Sequence, residues 1–141
     1  MVGDMENKRK HLEFIQSVIS RMAANTFLLK GWSVTLVSAL FALSAVDRTR
    51  AFFIIAYLPV LVFWSLDAYY LSLERQFRAL FDSVRVLDET QIDFAMNPQA
   101  FGSRKGNRWS DAFFARACLG FYLPLVAVMI AVMWLICLAN G

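Results

Sequence analysis

The sequence is short of the residues that catalysis and metal binding draw on. It has one histidine, His11, and two cysteines, Cys118 and Cys137, so a zinc site or a histidine-based triad has little material to use. The two cysteines fall near opposite ends of one apolar stretch, which as a helix holds them apart, so no disulfide framework is expected. Glycine is scarce, and none of the six forms a phosphate-binding loop followed by Lys-Ser or Lys-Thr. His11 lies in a basic helix start, KRKHLE, and is expected to be a solvated surface residue. The first 26 residues lack the short apolar core and small-residue cleavage site of a secretory signal, so no cleavage is expected and the first span itself would direct insertion. This inventory predicts no enzyme, no metal and no cofactor.

What the chain has is apolar surface. Of its 141 residues 59% are hydrophobic and 15% aromatic, with a mean hydropathy of +0.52, which sets it apart from soluble domains and marks a small membrane protein. Three stretches qualify as spans: Thr26 to Val46, Ala51 to about Tyr70, and Ala117 to Asn140, of which only the third is free of charge throughout. The uncharged cores of the first two, Gly31 to Val46 and Ala51 to Leu66, are 16 residues each, roughly 24 Å of helix against a hydrocarbon core of about 30 Å. Lys30 and Asp67 must then sit at, or just inside, one membrane boundary.

The second span runs on without Gly or Pro through DAYYLSLERQFRALFDSVRVLDE, so one helix is predicted over 51–89. Beyond Leu66 its apolar residues are Tyr70, Leu73, Phe77, Leu80, Val84 and Leu87, spaced alternately by four and three, which is a heptad seam. That seam needs a cover, and it is a candidate oligomerisation surface.

Basic residues set the orientation. Of the 14 Lys and Arg, five precede or open the first span and seven lie between the second and third. Arg48 and Arg50 alone fall in the short loop after the first span, and none follows the third. By the positive-inside rule the N-terminus is cytoplasmic and the C-terminus outside. The formal charge of +3 is a topology signal, and nucleic acid is not an expected partner.

The N-terminal segment places Leu12, Ile15, Ile19 and Met22 on one face. It can lie flat on the membrane or continue the first span as one cytoplasmic helix over 8–46. The turn DRTR is so short that the first two spans must run antiparallel, which brings Lys30 level with Asp67. The same register sets Lys8 near Asp88 and Glu89, Glu13 near Arg85, Arg21 near Glu74, and Ile15 and Ile19 against Phe77, Leu80, Phe81 and Val84. The predicted fold is an all-α membrane protein of three transmembrane helices, the first two forming a long antiparallel hairpin that extends into the cytoplasm.

Along the first span Gly31, Thr35, Ser38, Ala39 and Ala42 make a stripe of small residues, and Ala127 and Ala131 a smaller one on the third. Such stripes let backbones approach closely, either within one chain's bundle or between subunits. Gly31 is a place for the first helix to bend. Trp32, Trp64, Tyr69 and Tyr70 fit an aromatic belt at the inner boundary, and Pro59 and Pro124 are expected to kink their spans. From 90 to 109 the pattern breaks, with turns at Asn97-Pro98, Gly102 and Gly106 and a mobile basic loop, SRKGNR. A third helix is predicted over 110–140, with Ser110 as N-cap and Trp109 stapled onto Phe114. Arg116 would snorkel to the phosphates.

Two sites stand out. Lys30 and Asp67 form an ion pair that fixes register, or they line a polar cavity or gate. Arg75, Arg78, Arg104, Lys105 and Arg108 are candidate contacts for a small anionic signal or a lipid headgroup, although the topology rule alone accounts for basic residues there.

The runs HLEFIQSVISRMAANTFLLKGWSVTLVSALFAL and DAYYLSLERQFRALFD resemble a type of small bacterial membrane protein with three spans. Proteins of this build resemble the membrane effectors of anti-phage defence systems, which are switched on by a signal and then damage the inner membrane. The resemblance covers most of the chain but carries no motif with a defined role, so it assigns no residue. It implies a membrane effector, and with the exposed heptad seam, the small-residue stripes and the lack of catalytic residues the expectation is a homo-oligomer that perturbs the bilayer or forms a pore under control of its cytoplasmic helices. The alternative is a structural or adaptor protein that anchors or regulates a cytoplasmic protein partner without opening a path. Membrane lipids are partners in either case.

Overall fold

The structure, a computed structural model, describes residues 2–47 and 50–139; Arg48, Thr49 and Asn140, which the sequence places in the first turn and at the end of the third span, lie outside the described residues. The described chain consists of α1 (Val2–Asp47), α2 (Arg50–Val86), a five-residue α3 (Trp109–Phe113) and α4 (Arg116–Ala139), with 3₁₀ turns at Glu89–Gln91 and Gln99–Phe101. It holds no strand among the described residues. Three helices, α1, α2 and α4, are long and apolar enough to cross a membrane.

α1 carries no proline and passes through Gly31 without a break, so the polar N-terminal segment and the first apolar stretch are one element of 46 residues, roughly 69 Å long. α2 continues through Pro59 and α4 through Pro124. α2 ends at Val86, three residues before the predicted end. Leu87 N donates back to Val84 O at 3.3 Å, Asp88 turns extended, and Lys8 Nζ donates to the carbonyls of Arg85 (3.2 Å) and Leu87 (2.7 Å). A lysine from another helix thus satisfies carbonyls that the helix end would leave bare.

Two apolar cores hold the elements. One joins Val37 of α1, Ala56 and Val60 of α2 and Cys118, Tyr122 and Met129 of α4. The other joins Ile15 and Ile19 of α1, Leu80 and Val84 of α2 and Ile92 from the segment after α2, with Leu12, Phe77, Phe81 and Phe101 packed on it.

The third helix differs from the sequence-based expectation. Ser110 lies inside α3 and Arg108 occupies the cap position, with no side-chain cap. The helical path then breaks at Phe114 before α4 begins. Trp64 supplies the cause: its indole lies parallel to the Phe113 ring at 4.5 Å and its Nε1 donates to Phe113 O at 3.0 Å. That carbonyl is the one a continuous helix would use for the Ala117 N–H. Trp109 meets Phe113, with centroids 5.1 Å apart, and donates to Ser65 O at 3.1 Å, so the expected staple onto Phe114 does not form.

The basic loop is not free either. Ser72 Oγ donates to Asn107 O at 2.6 Å, Arg75 Nη1 to Gly106 O at 2.7 Å, and Asn107 Nδ2 to Phe101 O at 3.0 Å. A polar face of α2 therefore pins 101–109 by its backbone, a type of contact that composition does not announce.

Candidate functional site

The apolar surroundings of Lys30 and Asp67 leave each side chain one partner worth having. α1 turns Lys30, Ser33, Val37 and Ser44 inward, and α2 presents Asp67 and Ala68, both fully buried. Lys30 Nζ donates to Asp67 Oδ2 at 2.5 Å, the lysine side chain 19% exposed and the aspartate 0%. Cys118 Sγ of α4 lies 3.7 Å from the same oxygen, and Lys30 Nζ stands 5.8 Å from the centroid of the Phe121 ring. One turn on from Cys118, Tyr122 is buried with no hydrogen bond to its hydroxyl among the described residues, and its ring stacks on Trp64 at 5.5 Å. Asp67 Oδ1 is also buried with no donor.

The sequence brought Lys30 to Asp67; it did not bring Cys118, Phe121 or Trp64. Their signal lay in α4, one helical turn spacing 118 and 122 toward the acidic position, and needed the third helix to be docked. Chemically this is a locked junction. The pair neutralises two charges where three helices meet, and removing either partner strands the other in an apolar site.

Among the described residues the other expected cross-helix ion pairs do not form. Glu13 is 3.9 Å from Arg9, Arg85 is 3.6 Å from Asp82, and Glu74 is 2.7 Å from Arg78. Each finds a neighbour one turn away on its own helix, which orders less side chain than reaching across.

Of the five basic candidates Arg75 and Lys105 line one cleft. It has a volume of about 690 Å³ and also includes Arg116, Asp111 and Phe114. Arg78 is held by Glu74, Arg104 lies over the Phe101 ring at 4.6 Å, and Arg108 donates to Ser103 O at 3.3 Å. Three cations against one carboxylate suit a phosphate or carboxylate group. Part of that charge is structural, because Arg75 already holds Gly106 O while Asp111 accepts from Gly106 N at 2.8 Å.

The seam closes largely within the chain. Leu80 and Val84 are buried against Ile15, Ile19 and Ile92, and Phe77 packs on the same cluster. Tyr70 and Leu73 are half-buried, and Leu87 is exposed. The expected cover on one side was α1; the segment after α2 supplies the rest through Ile92 and Phe101. That leaves little of the seam for a second subunit. The small-residue stripe has the opposite fate: Gly31, Thr35, Ser38, Ala39 and Ala42 all face outward, as do Ala127 and Ala131. Trp32 and Tyr69 are also open to the surroundings, as belt residues need to be.

His11 corrects the sequence reading most sharply. It is 6% exposed, and Phe94 packs edge-on against it with centroids 5.4 Å apart. The segment after α2 folds back over α1 and covers a residue that its basic neighbours had marked as solvated.

Comparison with family models, with curated proteins and with solved structures finds no match. The functional reading therefore rests on these residues.

Proposed function

We propose that the protein is a homo-oligomeric membrane protein of the effector type, assembled through its spans and controlled through its cytoplasmic half, which perturbs the bilayer when triggered. The observation that supports assembly is the outward stripe from Gly31 to Ala42 on α1. Small side chains give lipid little to pack against and give another helix a close approach. In this reading α1 and α2 form the long antiparallel hairpin, the N-terminus is cytoplasmic and the C-terminus outside, in agreement with the distribution of Lys and Arg along the chain. The membrane is a bacterial inner membrane, and defence against phage is the setting that the resemblance implies. The Lys30–Asp67 junction then transmits movement of the cytoplasmic half to the spans.

Expression in bacteria loaded with a membrane-potential dye tests the effector part. Depolarisation on induction, lost when Ala39→Leu and Ala42→Leu fill the stripe, is the expected result. A potential that survives induction together with phage challenge removes the effector reading.

The adaptor alternative has one observation in its favour, the closure of the seam around Leu80 and Val84 within a single chain. A self-contained cytoplasmic hairpin is what an anchor for a partner protein requires. Recovery of one partner in stoichiometric amount on a monomeric chain would support it.

A further inference from the structure

Along α1, Asn7, Lys10, His11, Phe14, Val18 and Arg21 recur at spacings of three and four and so share one face. Phe94 and Met96 line the same open groove, of about 630 Å³, the size of a site for a small organic ligand. His11 lines it. Its side chain is more than nine-tenths buried, and its Nε2 has no hydrogen-bond partner in the protein. A buried, unsatisfied ring nitrogen is costly, and a small shift of Phe94, which packs on the ring, would open it to a ligand oxygen in the groove.

The rest of the lining says what kind of ligand. Phe14 is 66% exposed despite its size, so the wall offers apolar surface that the protein leaves uncovered. Lys10 is next to His11 and only loosely held, its Nζ 3.5 Å from an exposed Glu6. Arg21 stands at the far end of the face and has no ion-pair partner among the described residues. Phe94 is the removable part. Its φ of +55° is a left-handed conformation, unfavourable for a bulky residue, and it is held by a turn in which Asp93 Oδ1 accepts from Ala95 N at 3.0 Å.

We propose that this groove binds a small soluble anion with an aromatic or other apolar body. Lys10 and the His11 imidazole hold the charged group, and Phe14 and Phe94 hold the body. A bilayer lipid is the wrong source. Nineteen residues of α1 separate His11 from Lys30, roughly 28 Å along the helix, which is beyond the headgroup layer if residues 31–46 span the membrane. The inference rests on that placement of α1 alone and not on oligomerisation or effector activity.

His11 is the only histidine, which gives a direct reporter. The full-length chain, made without a histidine tag and labelled with ¹⁵N-histidine, is titrated in detergent with 1-naphthyl phosphate and, separately, with inorganic phosphate. Expected is a saturable shift of the imidazole ¹⁵N resonances with naphthyl phosphate and none with inorganic phosphate at the same millimolar concentration. Lys10→Ala should weaken binding by roughly tenfold, as loss of a charge-assisted contact does, and Phe14→Ala should weaken it too, both with unchanged melting curves. A response that never saturates, an equal response to inorganic phosphate, or full affinity in both variants overturns the proposal.

Discussion

Lys30 Nζ sits 2.5 Å from one oxygen of Asp67 while the other oxygen of that carboxylate is buried with no donor at all. The junction of α1, α2 and α4 is thus held by a charge pair whose carboxylate has only the weak Cys118 thiol as a further donor, at 3.7 Å, and its stability depends on both members being present.

Lys30→Met should therefore be severe, costing about 3–5 kcal/mol because it strands a fully buried carboxylate. The double variant Lys30→Met/Asp67→Leu should recover most of that loss, since apolar side chains of similar size fit an apolar site. Thermal unfolding followed by circular dichroism in detergent measures both. A single variant as stable as the parent would mean that the pair is solvated and structurally idle.

Leu80→Asp should loosen the core built around Ile15 and Ile19, since Leu80 packs against Ile15, Ile19 and Ile92 and a carboxylate there has no partner. Limited proteolysis within 90–108 should become much faster, while Leu87→Asp, at an exposed position, should change stability by less than about 0.5 kcal/mol. If Leu80→Asp lowers the particle mass and leaves proteolysis unchanged, the seam lies between chains.

Gly106 has φ +94° with open space around its Cβ position, so only backbone strain opposes a side chain there. Gly106→Ala should cost about 1–2 kcal/mol and raise hydrogen exchange at the amides of 101–107. Unchanged exchange would show that Arg75 and Asp111 do not depend on this turn.

Much of this architecture could be read from residue order. A short DRTR turn in the sequence predicts that the first two spans run antiparallel, and counting outward from it brings Lys30 to Asp67 and Ile15 to Val84, two contacts that the structure shows. The misses have a common physical origin in the aperiodic segment 87–115. Ile92 and Phe101 complete a core, Phe94 buries His11, and Trp64 takes the Phe113 carbonyl and so splits the third helix in two. Each depends on where an irregular backbone is pinned, and a polar residue such as Ser72 or Gln76 gives no sign in sequence that a loop carbonyl will meet it. Surface charges misled for the opposite reason: they pair with whatever lies one turn away.

Topology has a direct assay. A reporter inserted at Gly106 should be active in the cytoplasm, and one fused after Gly141 should be active outside. The reverse pattern would reverse the side on which the His11 groove and the basic cleft operate.

Assembly through the spans is the central claim, and mass in detergent by multi-angle light scattering tests it most directly. A Cβ at Gly31 meets nothing within 4 Å in its own chain and Ala39 is exposed, so Gly31→Leu combined with Ala39→Leu should leave the monomer's fold intact. The account predicts that the parent chain runs as a defined multiple of 16.1 kDa after correction for detergent, and that the variant falls to one chain with unchanged helix content. A parent that is monomeric at every concentration in mild detergent, or a variant that keeps the full mass, would contradict it.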